Sequence, residues 1–147
     1  MGSCCCSSNK DKDFMEQLLI DNKISIYTVS WNVGACQPTE TESLDSLLKP
    51  DRIKSDGEPD IYIIGLQEIV ELNASNMMRD DKKIIDLWRG AIIKCLGSNY
   101  RHIDSIRLMG ILLFIFVKHE LQSEIKNIVS NTIGAGIFGV AGNKGAV

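Results

Sequence analysis

Two short polar motifs stand where apolar, strand-like segments give out. Ser30-Trp31-Asn32-Val33 closes the first and Gly65-Leu66-Gln67-Glu68 closes the second. In layered α/β folds, strand ends are where sites are built. A carboxylate such as Glu68 at the end of a buried strand is costly unless something pairs with it. A hard divalent cation is one such partner, and Mg²⁺ takes one or two carboxylates together with phosphate oxygens and waters. Asn32 can offer a neutral oxygen to the same ion or a hydrogen bond to a phosphate. The plainer reading is a Glu68 that faces solvent or caps a helix and an Asn32 that starts a turn. Spacing alone leaves both open.

Other motifs carry less. Gly134-Ala135-Gly136-Ile137-Phe138-Gly139 has the G-x-G-x-x-G form. A dinucleotide site also needs a helix directly after it and an acid some way beyond. The residues that follow make a poor helix, and no such acid follows before Val147. Lys144 is followed by Gly145 rather than Ser or Thr, so this is not a Walker A loop, although a lone Lys144 between glycines can meet a phosphate. At the N-terminus Gly2 is in place for myristoylation, but position six is Cys6 where the usual pattern has Ser or Thr. Cys4, Cys5 and Cys6 are candidate palmitoylation sites, and two acyl chains hold a membrane where one does so marginally. The alternative is an unmodified flexible tail. His102 and His119 have no nucleophile or acid at triad spacing and read as structural or solvent-facing. Trp31 and Trp88 read as core.

The elements that must position these groups follow from periodicity. A Cys-rich tail and a short helix over 13–21 occupy residues 1–22. Alternation predicts a strand over 23–33. Residues 34–59 read as loop, with Ser43 capping a short helix that carries Leu44, Leu47 and Leu48. The run 60–66 reads as a strand buried on both faces. Ile84, Ile85, Trp88, Ile92 and Leu96 predict a helix over 77–96 that stops at Gly97. Strands are expected at 99–108 and 111–118 and a further β-rich stretch at 125–133. Residues 134–145, with five glycines in twelve positions, read as loop. A strand-helix-strand order points to a layered α/β or α+β domain.

Composition narrows the classes. The chain has 147 residues, 44% hydrophobic and 24% charged, which excludes a largely disordered chain and suits one domain. The net charge is -3, so no global positive excess recruits nucleic acid or an anionic membrane. The five cysteines, three of them consecutive, match neither a disulfide framework nor a Cys-x-x-Cys metal pair, which suits a reducing cytoplasmic setting. The chain stops as an apolar segment begins, which reads as a truncated domain.

Taken together, Ser30-Trp31-Asn32-Val33, the run Pro59 to Glu68, Leu72-Asn73-Ala74-Ser75-Asn76, the run Gly110 to Lys118 and Gly142-Asn143-Lys144-Gly145-Ala146-Val147 resemble the first half of an inositol polyphosphate 5-phosphatase catalytic domain. The resemblance covers 23–147. Within the wider endonuclease/exonuclease/phosphatase superfamily the Asn and Gln-Glu signals are shared, and the Leu-Asn-Ala-Ser-Asn and Gly-Asn-Lys-Gly-Ala-Val segments favour the inositol phosphatase branch. It implies a four-layer α/β/β/α sandwich, of which this is a part. It implies Mg²⁺-dependent removal of the 5-phosphate from a phosphoinositide lipid or a soluble inositol polyphosphate. By position Glu68 is then a metal ligand, Asn32 sits at the same metal and phosphate, Gln67 supports them, and Asn143 and Lys144 lie near the substrate. The family's later Asp-x-Asn and Ser-Asp-His motifs are not present in this chain, so little catalysis is expected from these residues alone. The expected partners are the lipid or inositol phosphate and a membrane surface at the cytosolic face, without nucleic acid. The rivals are a Mg²⁺-dependent nuclease of the same superfamily and a catalytically dead, membrane-tethered interaction module.

Overall fold

A computed structural model describes residues 23–39, 43–51, 53, 57–71, 82–137 and 141–147. Gly2, Cys4, Cys5, Cys6, the helix expected at 13–21 and Leu72-Asn73-Ala74-Ser75-Asn76 lie outside the described residues.

The main sheet has four strands: β1 (Ile26–Asn32), β2 (Ile61–Gln67), β3 (Tyr100–Leu108) and β4 (Ile111–Lys118). Their order across the sheet is β1-β2-β4-β3. β1 runs parallel to β2, whereas β2 and β3 each run antiparallel to β4. Continuous apolar runs rich in Ile, Phe and Val suit the two central strands, because side chains on a pleated strand must pack on one face or the other.

One face of the sheet is closed by helices. Tyr62, Ile64 and Leu66 of β2 and Leu112, Phe114 and Phe116 of β4 are buried in one core cluster with Ile84, Trp88, Ile92 and Leu96. Those four residues recur every fourth position of α2 (Lys82–Leu96), which puts them on one stripe of the helix. Gly97 ends it with a left-handed φ of +83°, its N–H donating to the Ile93 carbonyl (2.9 Å). Ahead of α2, the short α1 (Asp45–Leu48) is tied down by two tyrosines: the Tyr27 hydroxyl donates to the Leu47 carbonyl (2.9 Å) and that of Tyr62 to the Leu48 carbonyl (3.1 Å). The N-cap position of α1 is Leu44 rather than Ser43, whose hydroxyl accepts the Asp45 N–H (3.1 Å).

Three expectations need correction. β2 is not buried on both faces: its burial alternates strictly, because helices cover only the Tyr62 side and leave Ile61 and Ile63 half-buried. Residues 125–132 form no strand; a 3₁₀ segment (His119–Glu124) follows β4, and the β-rich residues beyond it stay largely exposed, with Val129 81% accessible. The glycine-rich stretch is not a loop but two antiparallel strands, β5 (Ile133–Ile137) and β6 (Ala141–Ala146). Glycine makes close packing the reason: a Cβ on Gly145 would collide with the Leu108 side chain and stand 2.6 Å from the Ile133 carbonyl oxygen. This hairpin begins a second sheet. Residues 128–131 and Val147 lie over Ile106, Leu113 and Ile115 of the main sheet across a cavity of about 170 Å³.

Candidate active site

The parallel pairing of β1 and β2 has a direct consequence at their carboxyl ends. Register pairs Ser30 with Gly65, Trp31 with Leu66 and Asn32 with Gln67. Side chains of Ser30, Asn32 and Gln67 therefore share one face, the one the helices do not cover. Trp31 points the other way and meets Trp88 edge-on (5.8 Å between ring centroids). Trp88 is core, as expected, but Trp31 is not: it stays 39% exposed, at the end of a strand on the edge of the sheet.

The backbone beyond each strand is laced to the other. The Val33 N–H donates to the Gln67 carbonyl (2.9 Å), the Ala35 N–H to the Glu68 carbonyl (2.6 Å), and the Ile69 N–H to the Gly110 carbonyl of the β3–β4 turn (3.1 Å). Three non-glycine residues with left-handed φ gather here: Ala35 (61°), Glu68 (52°) and Met109 (52°). Such a conformation costs an L-residue about 1–2 kcal/mol and persists where neighbours over-determine it. At Glu68 those neighbours are the hydrogen bonds just named and Ile69, which is fully buried. The result is a carboxylate turned out of the strand into solvent, with no side-chain partner among the described residues.

The amides beside it are fixed more closely. Asn32 Oδ1 accepts the N–H of Gly34 (2.9 Å), which leaves the Nδ2 hydrogens to face a ligand. Gln67 Nε2 donates to Ser30 Oγ (2.7 Å), which leaves Gln67 Oε1 as an acceptor. One carboxylate with amide oxygens nearby is the donor chemistry of a hard cation that keeps waters and takes phosphate oxygens as further ligands, so these residues fit Mg²⁺. No cluster of three or more His, Cys, Asp or Glu occurs among the described residues.

Asn143 and Lys144 lie on β6, Lys144 in register with Ala135. Gly145 packs on Leu108, at the β3–β4 turn that Ile69 also bonds, so their strand reaches the same end of the sheet as Asn32, Gln67 and Glu68. His102 is structural. Its ring packs on Phe114 and Phe116, and burial together with the Arg89 cation lowers its pKa. His119 is exposed beyond β4. Cys36 and Cys95 are free thiols, that of Cys95 pushed up to about 11 by burial and its hydrogen bond to Asp45. No helix among the described residues is long and apolar enough to cross a membrane. The feature that sequence reasoning missed is Ser30, which was read only as part of a motif. Its contact with Gln67 depends on the register of two strands far apart in the chain.

Comparison with known proteins gives a consistent picture. The model of the endonuclease/exonuclease/phosphatase family 2 matches residues 29–147. The chain is 30% identical over 141 residues to the phosphatidylinositol 4,5-bisphosphate 5-phosphatase of Saccharomyces cerevisiae, covering 92% of this chain and 15% of that one. It is 28% identical over 144 residues to the type IV inositol polyphosphate 5-phosphatase 9 of Arabidopsis thaliana, covering 83% of this chain and 34% of that one. Among solved structures, the inositol polyphosphate 5-phosphatase domain of SPsynaptojanin, in complex with inositol (1,4)-bisphosphate and a calcium ion, superposes with a TM-score of 0.65 at 25% identity. That match covers 94% of this chain and 41% of the solved one. The chain thus spans well under two thirds of the length of each of these relatives.

Proposed function

Because this chain belongs to the endonuclease/exonuclease/phosphatase family 2, we propose that it supplies the first part of an inositol polyphosphate 5-phosphatase active site. The reaction is hydrolysis of the 5-phosphate from a phosphoinositide lipid or a soluble inositol polyphosphate. The observation that carries this reading is the pairing of Asn32 with Gln67 in register, with the exposed Glu68 carboxylate turned out beside them.

In this reading Glu68 and Asn32 would hold Mg²⁺, which would supply neutralisation of charge on the phosphoryl oxygens. The Gly34 N–H uses one lone pair of Asn32 Oδ1, which leaves the other for the ion and the Nδ2 hydrogens for a phosphate oxygen. Gln67, held by Ser30, keeps the amide shell in place. Asn143 and Lys144 are assigned to the substrate side of the site. Water attacks phosphorus, the bond to the inositol oxygen breaks, and that oxygen leaves with a proton. No phospho-enzyme residue is required. The chain spans 41% of the solved domain it matches, and none of the residues named above is assigned to activate the water. The tail residues Gly2, Cys4, Cys5 and Cys6 are proposed as acylation sites that bring the domain to a cytosolic membrane face.

The test is phosphate release from phosphatidylinositol 4,5-bisphosphate with and without Mg²⁺. The chain is assayed beside its product extended through any downstream coding sequence, each with Glu68→Ala as control. Mg²⁺-dependent release by the extended product, lost in the control, is the expected result. Release that ignores Mg²⁺ or survives Glu68→Ala overturns the assignment.

A further inference from the structure

We propose that Ser30 is a positioning residue of this site. Its hydroxyl holds the Gln67 carboxamide across the strand pair, and so sets the group that stands next to Glu68. The inference rests on the 5-phosphatase reading and adds a residue to it.

Ser30 stands opposite Gly65 in the parallel register, and Gln67 stands opposite Asn32. A direct cross-strand partner for Ser30 is absent, because Gly65 has no side chain. Gln67 fills that space by leaning back along its strand. A methyl on Gly65 would lie 3.9 Å from Gln67 Nε2, which puts the amide directly over the glycine. The bond it reaches, Nε2 to Ser30 Oγ, is short at 2.7 Å. Ser30 is exposed and Gln67 half-buried. A side-chain hydrogen bond open to water exchanges with solvent bonds and adds little stability. What it does instead is hold the carboxamide in one place, with the hydroxyl here accepting from Nε2. With Nε2 held by Ser30, Oε1 is the atom Gln67 presents outward. Released, the carboxamide rotates freely and presents donor and acceptor alternately beside an anionic group and a cation.

Backbone bonds from Val33 and Ala35 already fix the main chain of Gln67 and Glu68. Ser30 therefore acts on the side chain alone. Groups that orient a metal shell in this way typically change metal affinity or activity by about 10–100-fold when removed.

The experiment compares wild type, Ser30→Ala, Ser30→Thr, Gln67→Ala and the double variant Ser30→Ala/Gln67→Ala in the extended product. Two readouts are taken. The first is the pair of Gln67 side-chain amide resonances by NMR of the metal-free protein. The second is kcat and KM for phosphate release from phosphatidylinositol 4,5-bisphosphate, with the Mg²⁺ concentration at half-maximal rate. Ser30→Ala is expected to shift the Gln67 amide resonances and to lower kcat about tenfold, with KM and thermal midpoint nearly unchanged. Ser30→Thr, which keeps the hydroxyl on a residue suited to strands, restores both. In the Gln67→Ala background, removing Ser30 has no further effect. Unmoved Gln67 resonances, an unchanged kcat in Ser30→Ala, or fully additive losses overturn the proposal. A wild type that releases no phosphate overturns the parent reading and this proposal with it, and is told apart from the other outcomes by that silence.

Discussion

Strand β2 is bounded by two carboxylates with opposite fates. At its start, Asp60 accepts from the Ser25 N–H (2.8 Å), from the Ser25 hydroxyl (2.9 Å) and from Lys118 Nζ (2.8 Å). Its own N–H donates back to Ser25, and the Lys118 N–H donates to its carbonyl. One side chain thereby ties together the beginnings of β1 and β2 and the end of β4. At the far end Glu68 is bonded through its backbone only. Its φ is left-handed and its carboxylate has no side-chain partner among the described residues. The first end spends its charge on holding three strands in register. The second finds no side-chain partner for its charge among the described residues and holds a left-handed backbone, and that is the end where the amides converge. An acid invested in the fold is recognised by the bonds it accepts, and one reserved for a ligand by those it lacks.

Substitution can break this contrast. The largest effect is expected from Glu68→Ala in the extended product: a loss of Mg²⁺-dependent phosphate release of at least about 100-fold, roughly 3 kcal/mol in the barrier, with the thermal midpoint held or raised. If stability falls instead, Glu68 belongs with Asp60. Next, Asp60→Asn should lower unfolding free energy by about 1–3 kcal/mol in denaturant titration, since it strands Lys118 half-buried, while kcat of the folded protein stays put. A smaller effect of opposite sign separates the ends more finely. Glu68→Gly relieves the left-handed conformation and should raise stability by up to about 1 kcal/mol while abolishing activity. The smallest is a dependence on pH. Burial would raise the Asp60 pKa, but the hydrogen bonds from Lys118 and Ser25 outweigh it and hold the group below its ordinary value. Its contribution is complete above the unfolded-state value and declines as pH falls through that value toward the folded one. Acid titration of stability should show this step in wild type and lose it in Asp60→Asn.

Much of the scaffold could be read from residue order. β2 and β4 are continuous apolar runs, and α2 repeats a large apolar residue every fourth position, because each has a face that must enter the core. Asn32 and Glu68 were legible as polar residues where such runs end. The hairpin of β5 and β6 was not, since a strand built from glycine forms by backbone pairing and leaves no side-chain alternation to read. Residues 125–132 misled for the converse reason: Ile128 and Val129 are residues that favour strands but have no neighbouring strand among the described residues. Trp31 looked like core because its type is large and apolar, and its position on an edge strand decided otherwise. The bond between Ser30 and Gln67, and the left-handed φ of Glu68, depend on register and dihedral angle, which one-dimensional order does not carry.

The connectivity of the main sheet has a consequence for the order of assembly. β3 and β4 are joined by the turn at Met109 and Gly110, and pair as soon as that turn closes. β1 touches the sheet only through β2, in parallel, with residues 33–60 between them. Closing that long connection is the slower, nonlocal step. Asn32 meets Gln67 only when it is complete, so the amide protons of Val33 and Ala35, protected by Gln67 and Glu68, time the moment at which the molecule becomes competent to bind.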